Sequence, residues 1–144
     1  MNGEEQTVTL PIVSEADVVV ARSRGKEMAH GMGFGTVDQT RIATGISELT
    51  RNILQYAREG RITLRVIDET ATRSFDVMHR RGLEIVAEDQ GPGIRDLSLI
   101  LEGRSLSGRG LGLGIPGTRR LMDEFEIISQ VESGTRVRCI KWLD

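Results

Sequence analysis

The glycines of this chain are concentrated in three short groups, and their placement constrains the fold more than any other feature. Of the 17 glycines, three lie at 31–35, two at 91–93 and six at 103–117. No fixed period separates the groups, so the chain is not a repeat protein. Glycine clusters mark tight turns or places where backbone approaches a ligand closely. These groups therefore predict where the binding chemistry lies.

The length and composition predict one domain over 1–144, with 1–7 as a flexible tail. A chain of 144 residues is long enough for a real core. Because aromatic residues make up only 3% of the chain, aliphatic side chains must fill that core. Cys139 is expected to be a reduced core thiol, and His30 and His79 have no metal-ligand spacing around them.

The charge and the apolar runs exclude several kinds of partner. A net charge of −2 is wrong for a polybasic arm that binds nucleic acid or a membrane surface. No aliphatic run approaches the ~20 residues of a membrane span. The polar, acidic N-terminus does not read as a signal peptide. The sequence thus predicts a cytoplasmic protein with no nucleic acid and no membrane partner.

The first half of the chain reads as strand, helix, helix, strand and strand. Residues 8–13 predict an edge strand, because Pro11 would be costly in a central one. Ser14 caps a helix that runs to about Gly31, and Thr36 caps a helix over 37–58. Strands are predicted at 61–67 and 82–88, joined by a polar connection over 68–81. The second helix carries a clear apolar stripe at Ile42, Ile46, Leu49, Ile53 and Ala57.

The second half begins with an irregular region that extends to about Gly114. It holds a short helical candidate at 96–101, and Pro116 suits the first position of a helix over 116–124. Strands at 125–132 and 135–143 close the chain, with a turn at 133–134. The order β-α-α-β-β-α-β-β predicts an α/β (α+β) two-layer sandwich. Its sheet should be mixed and mostly antiparallel, with helices on one face.

Several common catalytic motifs are absent from the sequence. It contains no P-loop, no G-x-S-x-G elbow and no H-E-x-x-H. Residues 112–117 match G-x-G-x-x-G, but they do not follow a predicted strand. A Rossmann dinucleotide site is therefore set aside.

Glu48 and Asn52 lie four residues apart on the second helix, so they share a face. Gly45, one turn earlier, removes a side chain beside them. A carboxylate next to an amide oxygen can serve a hard cation and a general base. The spacing alone favours the alternative, a solvated Glu48 that pairs with Arg51 or Asn52.

Asp89 directly follows a buried-looking strand and precedes Gly91, Pro92 and Gly93. A carboxylate at this point can accept a hydrogen bond from an adenine amino group while the turn backbone lies close to a flat ligand. The alternative is an Asx-type turn that only closes the strand.

The third glycine group opens onto a helix. Alternating glycines let successive N–H groups cradle anionic oxygens, and Arg109 adds a positive charge. A flexible linker is the alternative, although linkers rarely place Leu111 and Leu113 between their glycines. The candidate phosphate-binding residues are Ser107, Gly108, Arg109, Gly110, Leu111, Gly112, Leu113 and Gly114.

Taken together and in this order, the motifs are far more specific than any one alone. Glu48-x-x-x-Asn52, Asp89-x-Gly91-x-Gly93, Gly110-x-Gly112-x-Gly114 and Gly134-Thr135-x-Val137 resemble the N, G1, G2 and G3 boxes of the GHKL ATPases. Nearly the whole chain, about 8–144, resembles the stand-alone anti-sigma-factor-like serine/threonine kinases, in particular those of the stressosome switch. The acidic tail and the extended 68–81 hairpin depart from that pattern.

The resemblance implies the GHKL (Bergerat) fold, ATP and Mg²⁺ as cofactors, and a role for each motif. Asn52 would hold Mg²⁺, Glu48 would act as base, and Asp89 would bind the adenine amino group with Thr135 in support. Residues 97–114 would form a lid that closes on the phosphates.

The resemblance also implies partners. The substrates would be STAS-domain proteins, phosphorylated on serine or threonine, and the released kinase would activate a PP2C-type phosphatase. Whether the protein forms a homodimer is left open. Two rival functions remain: an anti-sigma factor that mainly sequesters a sigma subunit, and a degenerate nucleotide-binding regulator, against which the intact Glu48 argues.

Overall fold

The structure is a computed structural model that describes residues 6–73, 76–91, 114–130 and 132–143. The five strands in these ranges are β1 (Thr7–Ile12), β2 (Gly60–Arg73), β3 (Asp76–Asp89), β4 (Glu124–Gln130) and β5 (Gly134–Trp142). The helices in the same ranges are α1 (Glu15–Met32), α2 (Thr36–Tyr56) and α3 (Gly114–Leu121). This order of elements confirms the one predicted from the sequence.

The five strands form one sheet in the order β1-β2-β3-β5-β4. Each neighbouring pair among the described strands is antiparallel. The edge position predicted for β1 from Pro11 is confirmed. The last strand, β5, lies between β3 and β4, and this places the start of β5 beside the end of β3.

The core lies between one face of the sheet and the helices, as the two-layer prediction requires. The α2 stripe predicted from the sequence is fully buried at Ile42, Ile46, Leu49 and Ile53. It packs in one cluster with the inward side chains of β2, β3 and β5, which are Ile62, Leu64, Val66, Leu83, Ile85, Ala87, Val137 and Cys139. The core is therefore mostly aliphatic, as the low aromatic content predicts. Burial of this apolar area is the main favourable term in folding.

Local contacts fix the starts of both long helices and the end of α2. The Asp17 carboxylate accepts hydrogen bonds from the Val13 and Ser14 N–H groups, which fixes the predicted start of α1. The α2 cap was predicted one residue too late: Gly35, not Thr36, is the N-cap, because its carbonyl accepts the first helical hydrogen bond from Gln39. Helix α2 also ends at Tyr56, before the predicted end, because Arg58 adopts a left-handed φ of 73°.

The connection predicted over 68–81 is mostly strand. Strands β2 and β3 pair without interruption from Gly60–Asp89 to Arg73–Asp76. Cross-strand ion pairs line this extension, including Arg81 with Asp68 and Arg80 with Glu69. The hairpin therefore extends beyond the sheet as a two-stranded arm, and its described side chains form cross-strand ion pairs.

The helix predicted over 116–124 is shifted toward the N-terminus. Helix α3 covers Gly114–Leu121, so Pro116 is its third residue. The helix ends before Asp123 because that residue's N–H already bonds to the Ile140 carbonyl and its carboxylate accepts from Lys141 and Trp142.

Three other predictions fall partly or wholly outside the described residues. Of the predicted tail 1–7, residues 1–5 lie outside them, whereas Thr7 pairs with Arg65 in the sheet. The helical candidate 96–101 lies outside them altogether. Of the lid 97–114, only Gly114 is described, as the first residue of α3. Within the described ranges, no helix combines the length and the apolar character that crossing a bilayer requires.

Candidate nucleotide site

Three of the predicted site residues meet in one cleft at an end of the sheet. Asn52 comes from the second half of α2, Asp89 from the last position of β3, and Thr135 from the start of β5. The β3–β5 pairing brings Asp89 and Thr135 directly opposite each other. Apolar side chains complete the cleft wall: Leu49, Ile53, Tyr56, Ala87, Ile115 and Val137. A largely apolar wall with a few convergent polar groups is typical of small-molecule sites.

Backbone hydrogen bonds fix the Asp89 carboxylate. Its Oδ1 accepts from the Gly91 N–H at 2.9 Å and from the Thr135 N–H at 3.3 Å. The first contact is the local turn that sequence reasoning kept as an alternative. Within the described residues, no donor is bonded to Oδ2. One oxygen of the carboxylate therefore closes the turn, and the other is open to accept a hydrogen bond.

The environment of Asp89 shifts the pKa of its carboxyl. Partial burial raises the pKa of this carboxyl above its ordinary value, although the hydrogen bonds from Gly91 and Thr135 act in the opposite direction. Desolvation disfavours the charged form, whereas N–H donors favour it. Burial is the larger of the two effects here.

Thr135 is held from a second direction. Its Oγ1 lies 2.8 Å from the Oγ of Ser129 on the neighbouring strand β4. The side chain thus has a fixed position beside Asp89, and its hydroxyl is part of a hydrogen-bonded pair that joins β4 to β5.

Asn52 carries an unsatisfied polar atom. Its Nδ2 is buried and has no hydrogen-bond partner in the described part of the chain. A buried amide without a partner costs free energy, and such groups commonly point to a ligand or a water. The two ends of an amide are assigned from their contacts, so either end of Asn52 can face the cleft.

Glu48 does not line this cleft, although it shares a helical face with Asn52. It lines a groove between α1 and α2, and its carboxylate is 3.4 Å from Arg51 Nη1. The ion pair that sequence reasoning left as the alternative is therefore present. Among the pockets lined by described residues, none contains both Glu48 and Asn52, although the two are one helical turn apart.

Two of the glycines lie in close packing contacts. A Cβ on Gly45 would lie 2.7 Å from Met122 Cε, and one on Gly91 would lie 2.5 Å from Ala57 Cβ. Gly45 therefore lets α3 approach α2 and does not open space beside Glu48. Gly91 lets the turn after β3 pack against the end of α2.

Two cleft residues were not singled out from the sequence. Tyr56 follows Asn52 by one helical turn, a spacing that could have indicated it, and burial raises its pKa. Ile115 is 2% exposed and has no sequence signal beyond its place after Gly114. The cleft measures about 20 Å³, which is room for a single water. A nucleotide base must widen it in order to enter.

A larger depression of about 530 Å³ shares Asp89 and Thr135 with the cleft. It lies toward the outer face of the sheet, where Glu88 pairs with Arg61 and Arg136. It contains no residue of α2. The motif residues from three different elements meet in the smaller cleft, which is why we take that cleft as the candidate site.

The remaining predicted site residues lie outside the described ranges, except for Gly114 at the start of α3. They are Gly93, Ser107, Gly108, Arg109, Gly110, Leu111, Gly112 and Leu113.

Comparison with known proteins agrees with this architecture. Residues 13–141 match the family described as "Histidine kinase-like ATPase domain". The serine/threonine-protein kinase RsbT of Bacillus subtilis (strain 168) is 51% identical over 133 residues, which cover 92% of this chain and 93% of that protein. The chain therefore belongs to the histidine kinase-like ATPase family, and within that family to the serine/threonine-protein kinases.

Two solved structures are also similar. One is the histidine kinase domain of a blue-light activated histidine kinase from Erythrobacter litoralis EL346, with 20% identity and a TM-score of 0.47. The match covers 88% of this chain and 59% of that one. The other is the SiaB–SiaC complex from Pseudomonas aeruginosa, with 10% identity and a TM-score of 0.49 over 96% of this chain and 89% of that one.

Proposed function

We propose that this kinase binds MgATP in the cleft between α2 and the ends of β3 and β5, and transfers the γ-phosphate to a serine or threonine of a STAS-domain protein. The observation that carries the proposal is the meeting of Asn52, Asp89 and Thr135 in one cleft. The 51% identity to RsbT supports the kinase activity.

In this proposal Asp89 selects the base. Its Oδ1 is occupied by two backbone donors, so Oδ2 is the oxygen left for an exocyclic amino group. Thr135 lies directly across the strand pair and supports the same edge of the base. The apolar wall of the cleft would cover the faces of the ring.

Asn52 fits a role at Mg²⁺. Its buried Nδ2 has no partner among the described residues. Turning the amide over puts its oxygen in that position, and amide oxygens are ligands that hard cations accept. Within the described residues, no group of three or more His, Cys, Asp or Glu could hold a metal ion. That agrees with Mg²⁺ bound by one protein side chain together with nucleotide phosphates. When bound, the ion would neutralise phosphate charge.

The chemical step itself asks little of the protein beyond positioning and charge stabilisation. Glu48 would accept the proton of the acceptor hydroxyl, and Arg109 with the glycine-rich segment 107–114 would hold the phosphates as a lid. Glu48 is 34% exposed at its side chain, so an acceptor that comes from outside can reach it.

The partners follow from the resemblance to the stressosome kinases. We propose STAS-domain scaffold or antagonist proteins as substrates and a PP2C-type phosphatase as the target that the released kinase activates. A homodimer and a cytoplasmic location stay predictions.

The test mixes the purified protein with γ-labelled ATP, Mg²⁺ and a panel of STAS-domain proteins. We expect label on a serine or threonine of a STAS protein, and none when Asp89→Asn replaces the wild type. Sequestration of a sigma subunit without any transfer of label would instead favour the anti-sigma factor.

A further inference from the structure

The groove between α1 and α2 is separate from the nucleotide cleft and has a volume of about 500 Å³. Its basic side chains are Arg22 and Lys26 on α1 and Arg51 on α2, and its carboxylate is Glu48. Arg22 and Lys26 are one helical turn apart, so both point to the same side of α1.

The charges in this groove are not balanced. Glu48 pairs with Arg51 at 3.4 Å. Among the described residues, neither Arg22 nor Lys26 forms an ion pair. Elsewhere on α1, Arg24 is paired with Glu27 at 3.7 Å. The groove thus leaves two cations for a negatively charged occupant.

A second, independent feature is the Ser47 hydroxyl. Ser47 lines the groove, is 5% exposed, and its Oγ is buried without a hydrogen-bond partner in the described chain. A hydroxyl on a helix commonly bonds back to a carbonyl one turn earlier, as Thr50 does to Ile46. The Ser47 hydroxyl does not, which leaves its hydrogen-bonding capacity for a ligand.

We propose that this groove binds an acidic segment of the acceptor protein, with Arg22 and Lys26 supplying charge and Ser47 a hydrogen bond. The inference rests on the proposed kinase function, in which Glu48 accepts the proton of the acceptor hydroxyl. Because Glu48 itself lines the groove, the chain on either side of that hydroxyl must lie along it. Carboxylates in those positions meet the unpaired cations, whereas basic residues would be repelled.

The experiment compares two fluorescein-labelled peptides by anisotropy, using the full-length protein. In one peptide a single serine lies between two runs of glutamate, and in the other glutamine replaces every glutamate. We expect the acidic peptide to bind about tenfold more tightly, since exposed ion pairs are individually weak but add up. The preference should shrink as salt is added. Equal affinities would overturn the proposal.

Substitutions inside and outside the groove test whether its residues cause the preference for the acidic peptide. Arg22→Glu and Lys26→Glu should each weaken the preference and together abolish it, whereas Arg24→Glu, a single charge reversal on the same helix outside the groove, should keep it. Ser47→Ala should weaken binding of the acidic peptide without lowering thermal stability, because it removes a buried unsatisfied hydroxyl. A preference that survives the double reversal, or a Ser47→Ala variant with unchanged affinity, contradicts the assignment.

A competition experiment with ADP tests this inference separately from the proposed function. ADP should not compete with the acidic peptide, and competitive displacement would mean that the groove belongs to the nucleotide site. ADP binding by the wild-type protein is measured by calorimetry in parallel. Failure to bind ADP counts against the proposed function. The comparison of the two peptides can still be interpreted in that case, because it is made without nucleotide.

Discussion

The Thr135 backbone N–H donates a hydrogen bond to Asp89 Oδ1 over 3.3 Å, although the two residues are 46 positions apart in the chain. The Gly91 N–H donates to the same oxygen at 2.9 Å. Two strands and a turn thus orient one carboxylate. Its rigid placement is the preorganisation that selective binding of a base requires, because little ordering is left for the moment of binding.

Asp89→Asn should abolish tight ADP binding while the protein stays folded. The asparagine oxygen can still accept from Gly91 and Thr135, but an NH₂ group then faces the adenine amino group. Such a mispaired polar contact costs roughly 1–3 kcal/mol, or about 5- to 160-fold in affinity. Calorimetric titration measures the loss. Glu88→Gln is the matched control, because Glu88 pairs on the other sheet face with Arg61 and Arg136. Wild-type affinity in Asp89→Asn would assign Asp89 to the turn alone.

The same variant should show a pH-dependent difference in stability. Burial raises the pKa of Asp89 in the folded state, so the folded protein holds this proton more firmly than the unfolded chain. Stability from this group is therefore present at acidic pH and is lost as the pH rises through the folded pKa. Asp89→Asn should gain free energy of unfolding relative to wild type between acidic and neutral pH. Urea unfolding at both pH values measures the difference, and a relative loss would reverse the sign we assign.

Gly134→Ala should destabilise the protein and disturb the site. Gly134 has a φ of 98°, and a Cβ there would clash with the Asp89 carbonyl oxygen. Such strain costs about 1–3 kcal/mol. It acts next to Thr135, whose N–H donates to the Asp89 carboxylate. Gly31→Ala is the control, because Gly31 is helical and a Cβ there meets nothing within 4 Å. That variant should gain up to about 1 kcal/mol. Equal stability of the two variants in urea unfolding would argue against strain at Gly134.

Sequence patterns predicted the elements that have a buried face. The period of Ile42, Ile46, Leu49 and Ile53 predicted α2, and the core confirms it. The arm over 68–81 was missed because cross-strand ion pairs such as Arg81 with Asp68 carry no hydrophobic alternation. The place of β5 between β3 and β4 could not be predicted either, because strand order depends on contacts between distant segments.

The candidate site was predicted by resemblance more than by spacing. Asn52, Asp89 and Thr135 are distant in sequence, and their shared cleft depends on the β3–β5 pairing. The position of Glu48 in a separate groove could not be predicted, since it depends on how α1 packs beside α2. Gly45 shows the converse error: a missing side chain was taken as room for a ligand, whereas it is the contact point of α3.

Cys139 should not react with thiol reagents in the folded protein. It is fully buried in the core, and desolvation raises the pKa of its thiol to about 12. The thiolate is the reactive form, so very little of it exists at neutral pH. Labelling with iodoacetamide should be negligible until urea unfolds the chain. Rapid labelling of the native protein would mean that β5 opens under native conditions.

Glu48→Gln should keep ADP binding and lose phosphate transfer. The side chain lies outside the cleft proposed for the nucleotide, so we expect ground-state binding of the nucleotide not to depend on it. A general base typically contributes ~10²–10⁴ to the rate, and that factor is the loss we expect with an acceptor protein. Glu27→Gln is the matched control, because it breaks a similar i,i+3 pair, with Arg24, far from the proposed chemistry. Exposed pairs of this kind contribute little to stability, so both variants should unfold at nearly the wild-type urea concentration. Single-turnover transfer at the wild-type rate by Glu48→Gln would place the base elsewhere.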